Sequence, residues 1–400
     1  MTDGDTGSRG GRNGPSRLDG LALFLAEAAA ANPPGGVLHD GFSRELIARG
    51  IPLWRSRMLL ETLHPEISGR SFGWTDGAVS ERSALRRGVE EADAYRNSPL
   101  RIVDETGRPF RQRLDRPLPD VPLLDELRAE GATDYLIVPF PFVDRRRSAA
   151  ISFATAAPGG FSDSDVADLE RAALLLSPYV EVRVTRAMAF NLLDAYLGHK
   201  AGEKVLDGSI ERGGGEDIFA AIVVADLRGF TRLSDSIPRD EVIATLNTWF
   251  DALVTPIERN GGEVLEFTGD GLLAIFAADP GSPGAACDAA LRASQEAVAA
   301  TAAVNTERAS MAKPPLAFGI ALHIGDVTYG NIGSRTRLDF TVIGPAVNHA
   351  SRLQELTKAL GRPIVTSGLF ADACSLPLVK IGDFRLRDVE TTARVFEPPG

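Results

Sequence analysis

The chain has 400 residues, long enough for two domains that each bury a core. Its 44% hydrophobic and 24% charged residues are ordinary for globular protein, and a formal net charge of −11 argues against non-specific binding to nucleic acid or anionic lipid. A polyphosphate would have to be held locally, by metal ions, helix N-termini and a few arginines.

From the start, residues 1–17 are rich in Gly, Ser, Arg and Asp without apolar periodicity, and read as a disordered tail. The apolar stretch Leu21–Ala31 is too short to span a bilayer and carries Glu27. An amphipathic helix stopped by Asn32-Pro33-Pro34-Gly35 is expected there rather than a signal-peptide core. No stretch reads as a membrane span, and the distant Cys287 and Cys374 suit reduced thiols, so a cytoplasmic protein is expected.

Residues 18–186 read as a mixed α/β domain. Phe42–Leu63 has helical spacing, with Leu46, Ile47, Leu53, Met58 and Leu59 on the expected buried face. Tyr135–Phe140 and Ala149–Ala154 are strand-like, with a hairpin expected at the polar Asp144–Ser148 between them. Ser162 and its acidic neighbours supply cap chemistry for a helix through Arg186, with Val166, Leu169, Ala173 and Leu176 on one side. This strand–hairpin–strand–helix order resembles the end of a GAF-type sensor domain. The resemblance implies a regulatory role, with a small-molecule ligand or dimerisation as its means. Residues 187–216 read as a glycine-broken linker or transducer. Gly214-Gly215-Glu216-Asp217 superficially matches a diguanylate cyclase turn, but it ends a linker and opens a strand instead of joining two strands.

The chemistry lies in residues 217–400. Phe219–Ala225 is a continuous apolar run that reads as a buried strand delivering Asp226, followed by Leu227, Arg228, Gly229, Phe230 and Thr231. A carboxylate at a strand end, then a Gly turn and a helix N-terminus, suits divalent metal and phosphate. Glu263–Phe267 and Leu272–Phe276 are expected strands joined through Thr268-Gly269-Asp270-Gly271, which puts Asp270 at a hairpin tip. Beside the first strand, that tip would bring Asp226 and Asp270 together, as a pair of magnesium ions requires. Leu338–Ile343 then reads as a strand ending at Gly344, followed by a helix. Asn348 and Arg352 share one helical face, and Val347, Ala350, Ser351 and Leu353 are placed on the packing side. An amide and a guanidinium aimed at one spot suit a ribose and a transferring phosphate; a merely solvated helix face is the bland alternative.

The segments Ala225–Thr231, Thr268–Gly271 and Gly344–Arg352, in this order and at this spacing, resemble class III adenylyl and guanylyl cyclases. The resemblance covers about residues 217–398 and implies an α+β, ferredoxin-like palm fold with a mostly antiparallel sheet flanked by helices. It also implies conversion of ATP or GTP to the 3′,5′-cyclic monophosphate and pyrophosphate. Asp226 and Asp270, with the Leu227 carbonyl, would hold two Mg²⁺ or Mn²⁺ ions that activate the 3′-hydroxyl and grip the phosphates. Gly229, Phe230 and Thr231 would line the substrate loop. Asn348 would position the ribose, Arg352 would stabilise the α-phosphate transition state, and Arg387 would contact the triphosphate. In this family the site lies between subunits, which implies a head-to-tail homodimer with two equivalent sites.

Of the two base-reading positions that the resemblance implies, Glu266 departs from the adenylyl pattern. Where adenylyl cyclases carry a Lys, this chain has Glu266, which suits the N–H groups of guanine; an acceptor facing adenine N1 costs roughly 1–3 kcal/mol. Thr341 can donate or accept and so fits either base. Bacterial relatives of the family commonly use ATP, and ATP is favoured slightly over GTP. A degenerate, non-catalytic nucleotide-binding module is the remaining alternative.

Overall fold

A computed structural model describes residues 17–61, 67–86, 93–143, 149–387 and 392–399. The chain divides into two compact units, Met1–Leu192 and Leu193–Gly400. Residues 1–16 of the expected tail, the hairpin turn expected at Asp144–Ser148, and Asp388 and Val389 lie outside the described residues. Arg17, the last residue of that tail, pairs with Asp165 at 2.8 Å and is held in the fold.

The first unit is built on a six-stranded antiparallel sheet. Its strands are β1 (Arg55–Glu61), β2 (Ile67–Thr75), β3 (Ala78–Arg86), β4 (Phe110–Arg113), β5 (Asp134–Pro139) and β6 (Ala149–Thr155), in the order β3-β2-β1-β6-β5-β4. Helices α1 (Leu21–Ala30), α2 (Gly35–Ala48) and α6 (Asp163–Leu197) bury Leu25, Phe42 and Leu169 against one face, with Phe153 and Met58 from the sheet. The opposite face is covered by α4 (Pro99–Thr106) and α5 (Pro122–Ala129), through Val103, Leu124 and Leu127; the short α3 (Asp93–Arg96) precedes them.

The helix expected across Phe42–Leu63 is not formed as one element. It ends at Ala48, because Gly50 takes φ +81° and Pro52 follows, and Met58 and Leu59 belong instead to β1. Their side chains therefore point to opposite faces, and Ile47 is 41% exposed. The strand pair β5–β6 forms as expected, with Val138 opposite Ile151. The following helix runs past Arg186 to Leu197; its start is fixed by Ser162, whose Oγ accepts from the Asp165 N–H while the Asp165 carboxylate accepts from the Ser162 N–H.

The second unit has an α/β architecture around a mostly antiparallel sheet. Its strands are β7 (Gly215–Leu227), β8 (Glu263–Thr268), β9 (Gly271–Ala278), β10 (Phe318–Gly333), β11 (Leu338–Ile343), β12 (Ile364–Ser367), β13 (Val379–Arg385) and β14 (Thr392–Glu397). They lie in the order β13-β14-β12-β10-β7-β9-β8, with β11 pairing β10; among the described residues only the β10–β12 pair is parallel. Helices α9 (Arg239–Arg259) and α10 (Gly284–Ser310) cover one face through Trp249, Leu253 and Leu291, and the short α12 (Gly368–Ala373) adds Phe370. On the other face, α7 (His199–Leu206) contributes Ala201 and α11 (Pro345–Leu360) contributes Ala346 and Ala350. The seven-residue α8 (Phe230–Ser236) follows β7. The Gly214-Gly215 sequence opens β7, with Gly215 opposite Gly330.

Candidate active site

The strand β7 carries the first acidic side chain. Ala221, Val223 and Ala225 alternate into the core beneath α9 and α10, whereas Ala220 and Ile222 face the side of α7 and α11. The two-residue period therefore places Asp226 on the α11 face, at the C-terminal end of the strand. Asp270 occupies the turn between β8 and β9, where Gly269 adopts φ +71°. Gly271 pairs with Asp226, and a methyl group there would lie 2.6 Å from the Ala225 carbonyl and 3.0 Å from Asp226 Oδ1. Only glycine permits this close approach.

Asp226 feels the charge of Asp270. Burial, and then the charge of Asp270, push the Asp226 carboxyl up to about 6, with Lys358 opposing; burial likewise raises Asp270. Two half-buried carboxylates and nearby backbone carbonyls form a hard-oxygen donor set, which fits Mg²⁺ or Mn²⁺ and relieves the mutual repulsion. Among the described residues no cluster of three or more His, Cys, Asp or Glu side chains is arranged as a metal cage.

The tip of the hairpin is held from behind. Trp249 Nε1 donates to the Asp270 carbonyl at 3.1 Å, and the Leu227 N–H donates to the same oxygen at 3.4 Å. Trp249 is fully buried and packs on Phe318, ring centroids 4.9 Å apart. Beyond Leu227, Gly229 turns the chain with φ +75° into α8, and Leu227, Gly229 and Phe230 line a cavity of about 270 Å³ with Arg232 and Pro315. Thr231 lies in the first turn of α8.

Helix α11 lies along β10 between two glycines. A Cβ on Gly325 would meet Ala346 Cβ at 2.8 Å, and one on Gly319 would meet Thr357 Oγ1 at 1.9 Å. Gly319 is the strand partner of Asp226, so the C-terminal end of α11 sits beside the acidic pair. Asn348 is exposed and Arg352 half-buried on this helix, with Arg352 Nη1 donating to Glu355 at 2.9 Å. Ser351, assigned to the packing side, is exposed instead, and Thr357 takes a buried place. At a rise of about 1.5 Å per residue, Asn348 lies roughly 15 Å along the helix from Lys358, the residue felt by Asp226. The neighbouring His349 stacks on buried His323 at 4.3 Å, and His323 Nδ1 is hydrogen-bonded to Ser367 at 2.7 Å.

Glu266 is exposed on β8, at a bulge between Val264 and Glu266. Thr341 is on β11, which lies against β8, and its hydroxyl is buried without a protein partner. Arg387 is exposed just beyond β13, at the sheet edge opposite the hairpin. Sequence reasoning missed Trp249 and Lys358. Their roles depend on contacts across the fold, and no local spacing marks them.

A strand-end carboxylate and a hairpin-tip carboxylate thus lie together on the α11 face of a mostly antiparallel sheet. Residues 218–367 match the adenylate and guanylate cyclase catalytic domain family. The uncharacterized proteins Rv1319c and Rv1320c of Mycobacterium tuberculosis are each 36% identical to this chain, over 146 and 154 residues. Those segments cover 36% and 38% of this chain but only 26% of each relative, so the chain spans about a quarter of the length of the curated relatives it matches. Among solved structures, a bacterial light-regulated adenylyl cyclase is 27% identical with a TM-score of 0.41, covering 46% of this chain and 91% of that one. The guanylyl cyclase Cya2 is 29% identical, also with a TM-score of 0.41, covering 46% and 92%. Among the described residues, no helix is long and apolar enough to cross a membrane.

Proposed function

We propose that the protein is a purine nucleotide cyclase that converts ATP, or alternatively GTP, to the 3′,5′-cyclic monophosphate and pyrophosphate. The observation that carries this reading is the approach of Asp226 to Asp270, through the pairing of Asp226 with Gly271, the residue next to Asp270. Asp226, Asp270 and the Leu227 carbonyl would hold the divalent cations, which when bound supply Lewis acidity to the 3′-hydroxyl and to the phosphate oxygens. The chain's own groups do the rest. Asn348 orients the ribose, and Arg352 turns from Glu355 to the α-phosphate as charge grows there. The glycine turn at Gly229, with Phe230 and Thr231, admits phosphate oxygens, and Arg387 binds the triphosphate.

The roughly 15 Å along α11 between Asn348 and the residue beside Asp226 favours a site shared by two subunits. In a head-to-tail homodimer, one subunit offers the acidic pair and its partner offers Asn348 and Arg352. The first unit is read as a GAF-like regulatory domain, on the order of its final strands and helix. It would act through a small-molecule ligand or by dimerisation.

Base selection falls to Glu266 and Thr341. The unpartnered Thr341 hydroxyl serves either purine, and Glu266 is the observation that favours GTP as the second reading. Incubating the full chain with Mn²⁺ and either ATP or GTP, and separating the products, tests both readings. cAMP as the main product is expected. cGMP alone would assign base choice to Glu266, and absence of both products would leave a nucleotide-binding module.

A further inference from the structure

The loop after β7 is tied to the far end of α11 by one side chain. Arg228 Nη2 donates to the Thr357 carbonyl at 2.8 Å and to the Arg362 carbonyl at 2.6 Å, and its backbone N–H donates to Ala317 at 2.7 Å. Thr357 supplies one of the last four carbonyls of α11 and also accepts from the backbone N–H groups of Gly361 and Arg362, which close the helix. A guanidinium there adds a charged donor to that carbonyl and complements the negative end of the helix dipole. The same Arg228 stands two residues after Asp226, so a displacement of α11 along its axis is delivered to the acidic loop, and the reverse.

We infer that Arg228 is a positioning residue that couples the two active sites of the dimer. The inference rests on the shared-site reading above. If the sites are shared, the Asp226 loop and the Asn348–Arg352 helix of one subunit serve different sites. Within a subunit they are joined by the two hydrogen bonds of the Arg228 Nη2 and by the Gly319–Thr357 approach. Arg228 therefore sets the metal loop of its subunit's acidic site and the register of Arg352 in the other. Misplacement of a catalytic group by about 1 Å costs on the order of 100-fold in rate, so a lost tether is measurable at both sites.

Mixed dimers test this. A chain with Arg352→Ala paired with a chain with Asp226→Ala leaves one live site, in which the first chain supplies the acidic pair and the second supplies Arg352. Arg228→Met is then added to one chain at a time. In the first chain it is expected to raise the half-saturating Mn²⁺ concentration several-fold. In the second chain it is expected to lower kcat about tenfold with Mn²⁺ half-saturation unchanged. Arg228→Lys, whose ammonium keeps a charged donor on a flexible stem, should show the same split more weakly, and it serves if the Met variant does not fold. An effect only in the first chain overturns the coupling, as does equal loss in both with unchanged Mn²⁺ dependence, the mark of a plain folding role. If the parent mixture is silent while the wild type is active, the shared-site reading itself fails, and the coupling goes with it.

Discussion

Asp226 is the residue whose ionisation says most about the site. Its carboxyl titrates at about 6 in the folded chain, against an ordinary value near 3.8, because burial and Asp270 both oppose its charge. A folded-state pKa above the unfolded one means that the native state binds the extra proton between those values. Stability therefore falls as pH rises from about 4 to 6 and stays reduced above. In a chelator, Asp226→Asn is expected to raise the melting temperature at pH 8 and to change it little near pH 4. Adding Mn²⁺ at pH 8 should raise the melting temperature of the wild type and not that of the variant. The placements of Asp226 at a strand end, Asp270 in a hairpin turn, and Asn348 and Arg352 on one helix were legible in the sequence, since each stands inside a short motif. Arg228 was seen only as part of such a motif. Its role lies in bonds to carbonyls 129 and 134 residues away, which no periodicity marks.

At the scale of elements, the site depends on how the hairpin and α11 are seated. The bond from Trp249 Nε1 to the Asp270 carbonyl joins α9 to the hairpin tip. Trp249→Phe keeps a ring against Phe318 and removes that donor. A stability loss of about 1 kcal/mol is expected in thermal melts, with a several-fold higher Mn²⁺ requirement in the assay. At the other end of α11, burial holds His323 at about 3, and burial also lowers His349, which stacks upon it. A histidine depressed from 6.5 contributes stability above that pH and loses it as pH falls, by about 1.4 kcal/mol per unit for His323. Melting curves from pH 7.5 to 5 should therefore fall more steeply for the wild type than for His323→Gln. Element reading succeeded where the pattern was long, as in the β7 run and the β8–β9 hairpin. It failed across Phe42–Leu63, where Gly50 and Pro52 broke an apparently continuous apolar period into α2 and β1.

For the whole molecule, the family match covers residues 218–367 and leaves the first unit to be understood from its own sheet and helices. That sheet was only partly legible. Its last two strands alternate clearly, whereas β1 was hidden inside an expected helix. The proposed function rests instead on the second unit, where two carboxylates distant in sequence are gathered at one strand end. The most direct measurement is the rate of cyclic nucleotide formation by the full chain with Mn²⁺, with ATP and with GTP, beside the same chain carrying Asp270→Ala. The account predicts turnover by the wild type and a loss on the order of 100-fold or more in the variant. Equal rates from the two proteins would contradict it.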